Sequence, residues 1–129
     1  MGPFATRQVI LLPFPFSDLS ASKLRPALLL AAAGKGDWLL CQITSNPYAD
    51  PRAVTLAEDD FAEGGLQRVS HARAGKLFTA HESLFQRAVG ELKAERHAQV
   101  VEAALLEGVG RGDVRHRQLH QREKRVIAH

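Results

Sequence analysis

The sequence predicts a mainly β domain: a small, strongly bent antiparallel barrel with one C-terminal helix packed on it. Three observations carry that expectation. Short β-rich or apolar runs recur along the chain, separated by tight turn signals. One segment, residues 91–107, has helical spacing of its apolar positions. The length, 129 residues, suits a single domain.

The elements follow in order. Gln8 to Phe16 is apolar and β-rich, but Pro13 and Pro15 lack ladder donors, so an edge strand or one that breaks partway is expected. Ser17 to Lys23 is a polar loop of turn formers. Pro26 to Ala33 is ambiguous. Its Leu and Ala residues favour helix, while its shortness and flanking turn signals favour a buried strand. Gly34 to Asp37 reads as a hairpin turn, and Trp38 to Thr44 as the strand that follows it. Ser45 to Arg52 is a loop, Ala53 to Leu56 a short strand, and Ala57 to Phe61 a helical turn ended by Gly64-Gly65. Leu66 to Ala72 and Lys76 to Ala80 are read as two further strands of a hairpin. In the terminal helix, Glu91 to Glu107, residues Leu92, Ala98, Val101 and Leu105 share a face.

Composition narrows the class. The chain is 45% apolar and 24% charged, ordinary for a globular domain. No run reaches the ~20 apolar residues of a membrane helix. Prolines interrupt the N-terminal apolar stretch, which therefore does not resemble a signal peptide. Cys41 is the only cysteine, which excludes a disulfide framework or a cysteine zinc site and makes cytoplasm the default location. The net charge of +3 is uneven. Residues 111–129 carry +4 and residues 1–110 carry −1. The basic pI thus belongs to a tail, expected to be frayed, beyond a domain of residues 1–110. It does not mark the domain as a general nucleic-acid binder.

Three constellations have residue types suited to chemistry. Arg25 follows the hydroxyl-rich loop with Ser17, Ser20, Ser22 and Lys23, and stands just before Pro26. Its guanidinium fork matches a phosphate; a pair with Asp18 is the simpler structural role. Gln42, Thr44 and Ser45 close the Trp38–Thr44 strand. By alternation Gln42 and Thr44 share one face, where hydroxyls could meet a phosphate or ribose, or merely cap backbone groups. The run from Val69 to His81 offers Arg73, Lys76 and two histidines, the residue type suited to proton transfer at physiological pH. A solvated hairpin is the simpler reading for His71.

Taken together and in this order, these pieces resemble the PemK/MazF family of toxin–antitoxin systems. The resemblance is carried by Val9–Leu30 (VILLPFPFSDLSASKLRPALLL), Gln42–Ser45 and Ser70–Thr79, within residues 8–107. It implies an SH3-like barrel of the CcdB/PemK plasmid-toxin kind and a homodimer. It also implies an endoribonuclease that cuts single-stranded messenger RNA without metal or other cofactor, through attack of the 2′-hydroxyl on the adjacent phosphate. Arg25 matches the family's arginine before the strand and Thr44 its threonine in the Ile-Thr pair. The Ser17–Lys23 loop matches the segment that covers RNA and that the antitoxin occupies. Ser17, Ser20, Ser22, Lys23, Gln42, Ser45, Arg73 and Lys76 would then bind RNA, and promoter DNA would be met only through the antitoxin.

The sequence departs from the family at two places. Thr6-Arg7-Gln8 stands where many members have Arg-Gly-Asp. Leu77-Phe78-Thr79-Ala80-His81 stands where MazF-like members have Ile-Arg-Thr-Ile-Asp. His81 occupies the acid's position and is the candidate general base, because imidazole suits proton transfer near pH 7. The same fold also serves toxins that poison DNA gyrase without cutting RNA, and a degenerate member that only binds is the remaining alternative.

Overall fold

A computed structural model describes residues 3–14, 23–48 and 50–111. Ser17–Ser22 of the expected loop Ser17–Lys23 and the tail beyond Arg111 lie outside the described residues, and Lys23 opens β2. Seven strands form one antiparallel sheet: β1 (Gln8–Phe14), β2 (Lys23–Gly34), β3 (Asp37–Thr44), β4 (Val54–Leu56), β5 (Phe61–Gly64), β6 (Ser70–His81) and β7 (Arg87–Leu92). Their order is β4-β6-β3-β2-β1-β7-β5. Among the described residues one α-helix, α1 (Ala94–Arg111), follows. The sheet curls into a nearly closed barrel, as expected.

Both faces of the sheet are apolar over much of their area, which explains why β2 reads as a continuous apolar run. One face gathers Val9, Leu28, Leu30, Cys41, Ile43, Leu56, Phe61, Ala72 and Leu92 around Val100 of α1. The other gathers Ile10, Leu12, Ala27, Leu29, Trp38, Leu40, Phe78, Ala80 and Phe85, with Phe4 against it. Successive residues of a strand alternate between these two cores. Hydrophobic burial on both sides outweighs the modest helix preference of Leu and Ala and settles β2 as a strand.

The β2–β3 hairpin turns through Lys35 (φ 56°) and Gly36 (φ 85°) between the paired Gly34 and Asp37. Two consecutive positive φ angles match the twist of the flanking strands. A Cβ at Gly36 would lie 2.5 Å from His81 Nε2, so the glycine also makes room for that ring.

Several expectations are corrected. β1 is not an edge strand, for it lies between β2 and β7. Pairing with β7 stops at Leu11, so Pro13 falls where only one neighbour needs donors. β2 starts at Lys23, which places Arg25 within a strand rather than before one. The two strands expected around Arg73–Lys76 are one, β6, bulged where its register with β3 shifts between Cys41 and Ile43. Phe61–Gly64 is a strand, and Ala57–Asp60 is only a 3-10 turn before it.

The helix begins three residues later than expected because Glu91 and Leu92 belong to β7. Its buried seam is consequently Val100 and Ala104, flanked by the half-buried His97 and Val101, whereas Ala98 and Leu105 are exposed. Helix α1 runs to Arg111, so the expected boundary at residue 110 falls inside its last turn.

Candidate functional site

The second face changes character along three adjacent strands at one level. β2 passes from Leu29 and Ala27 to Arg25. β3 passes from Trp38 and Leu40 to Gln42 and Thr44. β6 passes from Ala80 and Phe78, across the bulge, to Arg73 and His71. The faces follow from alternation: Ile43 and Ala72 belong to the first core, so Thr44, His71 and Arg73 point the other way. The residues of three separate sequence runs thus converge into one polar patch at the end of an apolar face.

Register fixes their order across the sheet. Ala27 pairs with Gln42. Two residues further along the same antiparallel register, Arg25 stands across from Thr44. Thr44 pairs with His71 of β6, and His71 pairs with Thr55 of β4. The row Arg25–Thr44–His71–Thr55 therefore crosses four strands. Arg25 and Thr55 are exposed, while Thr44 and His71 are half-buried.

Hydrogen bonds orient several members. Arg73 Nη1 donates to Gln42 Oε1 at 2.9 Å, tying the β6 bulge to β3. The Cys41 thiol donates to the Arg73 carbonyl at 3.1 Å and holds the bulged backbone from the opposite face. Burial, with Asp50 adding and Arg73 opposing, pushes the Cys41 pKa far above the ordinary thiol range, so this thiol is a structural donor. Thr44 Oγ1 accepts from the Asn46 amide at 3.1 Å. The expected capping role of Thr44 is thus real, but it uses the oxygen as acceptor and leaves the hydroxyl proton able to donate.

Chemically, the patch presents two guanidinium groups, hydroxyls and an imidazole on a shallow surface. That set suits a phosphodiester with its neighbouring ribose. A different concavity, of about 240 Å³, is lined by Asp59, Asp60, Lys93, Glu95, Arg96 and Gln99. Its three carboxylates make it unsuited to a polyanion. Among the described residues, no three His, Cys, Asp or Glu side chains cluster so as to hold a metal ion. Nor is any described helix long and apolar enough to cross a membrane.

Other expected site residues fall in varied places. Lys23 is exposed at the start of β2, Ser45 is exposed just after β3, and Lys76 is exposed within the bulged stretch of β6. Ser17, Ser20 and Ser22 lie outside the described residues. His81 is not brought to the patch. It pairs with Asp37, seven residues along β3 from Thr44, or roughly 23 Å at the usual rise of an extended strand. Its Nδ1 accepts from the Ser83 amide at 3.0 Å, capping the 3-10 turn Glu82–Leu84. The family resemblance, which puts His81 at the acid's position, suggested it; a twelve-residue strand carries it to the far end of the sheet. His71 was read as a solvated hairpin residue and Thr55 was not singled out, because β4 and β6 pair across a gap in the chain that no local motif announces.

Neither the known family models nor the curated proteins include a match to this chain. Solved structures do match. The Mycobacterium tuberculosis toxin MazF-mt6 superposes with a TM-score of 0.58 at 20% identity, over 76% of this chain and 92% of that one. An endoribonuclease from a mycobacterial species, solved in complex with its cognate antitoxin, gives 0.59 at 17%, over 85% and 96%. MazF in a MazE-MazF complex from Deinococcus radiodurans gives 0.60 at 22%, over 77% and 90%. At these identities the likeness establishes the fold: the chain has the MazF-type toxin fold.

Proposed function

We propose that this chain is a toxin of the MazF/PemK kind, an endoribonuclease that cuts single-stranded messenger RNA at short specific sequences without a metal ion. The observation that carries the reading is the convergence of Arg25, Gln42, Thr44 and Arg73 at one end of the second face. Three dispersed sequence runs supply them, and nothing in packing requires them to meet. The fold of MazF toxins, several solved with antitoxins, supports the same reading.

In this reading the scissile phosphate lies between Arg25 and Thr44. The neighbouring 2′-oxygen attacks phosphorus, the bond to the 5′-oxygen breaks, and the products are a 2′,3′-cyclic phosphate and a free 5′-hydroxyl. Negative charge builds on the non-bridging oxygens. The Arg25 guanidinium stabilises it without dependence on pH, and the Thr44 hydroxyl donates to the phosphate or holds the 2′-oxygen. Arg73, fixed by Gln42, and the exposed Lys23 and Lys76 attract the flanking backbone. Ser17, Ser20, Ser22 and Ser45 add contacts to RNA. The partners are a second copy of the chain and a cognate antitoxin whose extended acidic segment covers the cationic patch and orders on binding. Promoter DNA is met only through that antitoxin, and messenger RNA as substrate places the action in the cytoplasm.

The test is cleavage of a long single-stranded RNA by the purified chain in the presence of chelator, with both new ends mapped. Expected are cuts at a short recurring sequence with cyclic-phosphate and 5′-hydroxyl ends. Arg25→Ala should lower kcat by about 10²–10³-fold, the usual loss when a charge-stabilising donor is removed. A folded wild-type chain that cuts no RNA, and inhibits DNA gyrase instead, would overturn the reading.

A further inference from the structure

His71 is the one residue of the patch bracketed by hydroxyls on both sides. It pairs with Thr44 through the β3–β6 register and with Thr55 through the β4–β6 register. Thr55 Oγ1 lies 3.4 Å from His71 Nδ1. A solvated surface histidine is free to rotate. This one is half-buried, held on a strand by its neighbours, and directly beside the threonine that faces Arg25.

We propose that His71 is the proton-transfer residue of the site, taking the proton from the attacking 2′-hydroxyl of RNA. This rests on the ribonuclease reading above. In the tautomer this role needs, Nδ1–H donates to Thr55 Oγ1 and Nε2 carries the lone pair. As the 2′-oxygen–phosphorus bond forms, its proton passes to Nε2. As the bond from phosphorus to the 5′-oxygen breaks, that oxygen takes a proton from water. The imidazolium returns its proton to the hydroxide so formed, and the enzyme is regenerated. Thr55 orients the ring, Thr44 and Arg25 hold the phosphate one strand and two strands away, and no group at His81 is needed.

The charged residues on the same face of the neighbouring strands are Arg73 on β6 itself and Arg25 two strands away. The ring's strand neighbours Thr44 and Thr55 are uncharged, and α1 packs through Val100 on the opposite face.

The experiment measures kcat and KM against pH for the wild type, His71→Ala and His71→Gln on an RNA the wild type cuts. Far-ultraviolet circular dichroism checks folding. Expected is a kcat loss of about 10²–10⁴-fold with RNA affinity nearly unchanged. The acid limb should vanish, and added imidazole should partly restore His71→Ala. Wild-type kcat with an intact acid limb in His71→Gln overturns this role, and if Arg25→Ala is then inactive the ribonuclease reading survives. Should His71→Ala not fold, His71→Gln alone decides. A wild type that cuts no RNA overturns both.

Discussion

Thr79 is one of two buried polar side chains in the core, and its hydroxyl has no hydrogen-bond partner among the described residues. It stands across from Leu39, which packs against the first core, so the oxygen lies among apolar atoms. A buried hydroxyl without a partner gives up hydration and gains nothing in return, a loss of roughly 1–3 kcal/mol. Valine has nearly the same shape and no polar group. Thr79→Val should therefore raise unfolding stability by about 1 kcal/mol in a urea titration. A loss of stability in that variant would mean the hydroxyl has a partner the protein alone does not supply. The contrast with Thr44 is one of position: at a strand end its oxygen accepts from Asn46 and its proton stays available. Residue type in the sequence cannot separate these two threonines; burial does.

One side chain of helix α1, His97, reaches a backbone oxygen of β2. The carbonyl of Leu29 accepts from the Arg7 amide at 3.1 Å and from His97 Nε2 at 3.2 Å, at the point where the β2–β3 register shifts. Burial lowers the His97 pKa below its ordinary 6.5; the Leu29 bond opposes this and the nearby Arg7 charge adds to it, with the net shift downward. The folded state thus holds this histidine neutral, with Nε2–H donating. Because the folded pKa lies below the unfolded value, the unfolded chain binds the extra proton first as pH falls. The stability is complete above pH 6.5 and is lost as pH drops through the folded pKa. Melting temperature should be flat above that pH and decline below it, and the part of that decline due to this residue should disappear in His97→Gln; an unaltered profile in that variant would refute the assignment. The helix itself was legible from its periodicity, but its buried seam was not. Leu92 reads as the first residue of the apolar face, yet β7 claims it for the barrel, and the seam shifts to Val100 and Ala104. Likewise Arg25, Thr44 and Arg73 were legible as suitable chemistry, whereas the pairing of His71 with Thr55 depends on long-range register.

At the scale of the whole molecule, the barrel is closed by a short piece of chain and one carboxylate. β4 and β5 are the two edges of the sheet, and the 3-10 turn Glu58–Asp60 joins them directly. Asp60 Oδ2 accepts from the Ala57 amide at 2.8 Å, and Oδ1 accepts from Arg96 Nε at 2.9 Å. Its backbone carbonyl accepts from the Lys93 amide at 2.9 Å. One residue thereby fixes the turn, the junction of the two edges and the start of α1. Desolvation would raise the Asp60 pKa, but the Ala57 bond and the Arg96 and Lys93 charges outweigh it, and the net shift is downward from 3.8. The sign follows: the contribution is present above the unfolded value and is lost as pH falls through the folded one. Asp60→Ala should lower stability by about 1–2 kcal/mol at neutral pH, a figure that allows for solvent screening of the partly exposed Arg96 pair. The same variant should lose the wild type's stability decline below pH 4. Closure also bears on the patch, because β4 carries Thr55, has β6 as its one strand partner and runs straight into this turn. Loosening the turn should free β4, so amide hydrogen exchange across Val54–Leu56 should quicken in Asp60→Ala while β2 and β3 remain protected. Equal acceleration in all three strands would instead show that the barrel opens as one unit, with the edge and the patch sharing a single stability.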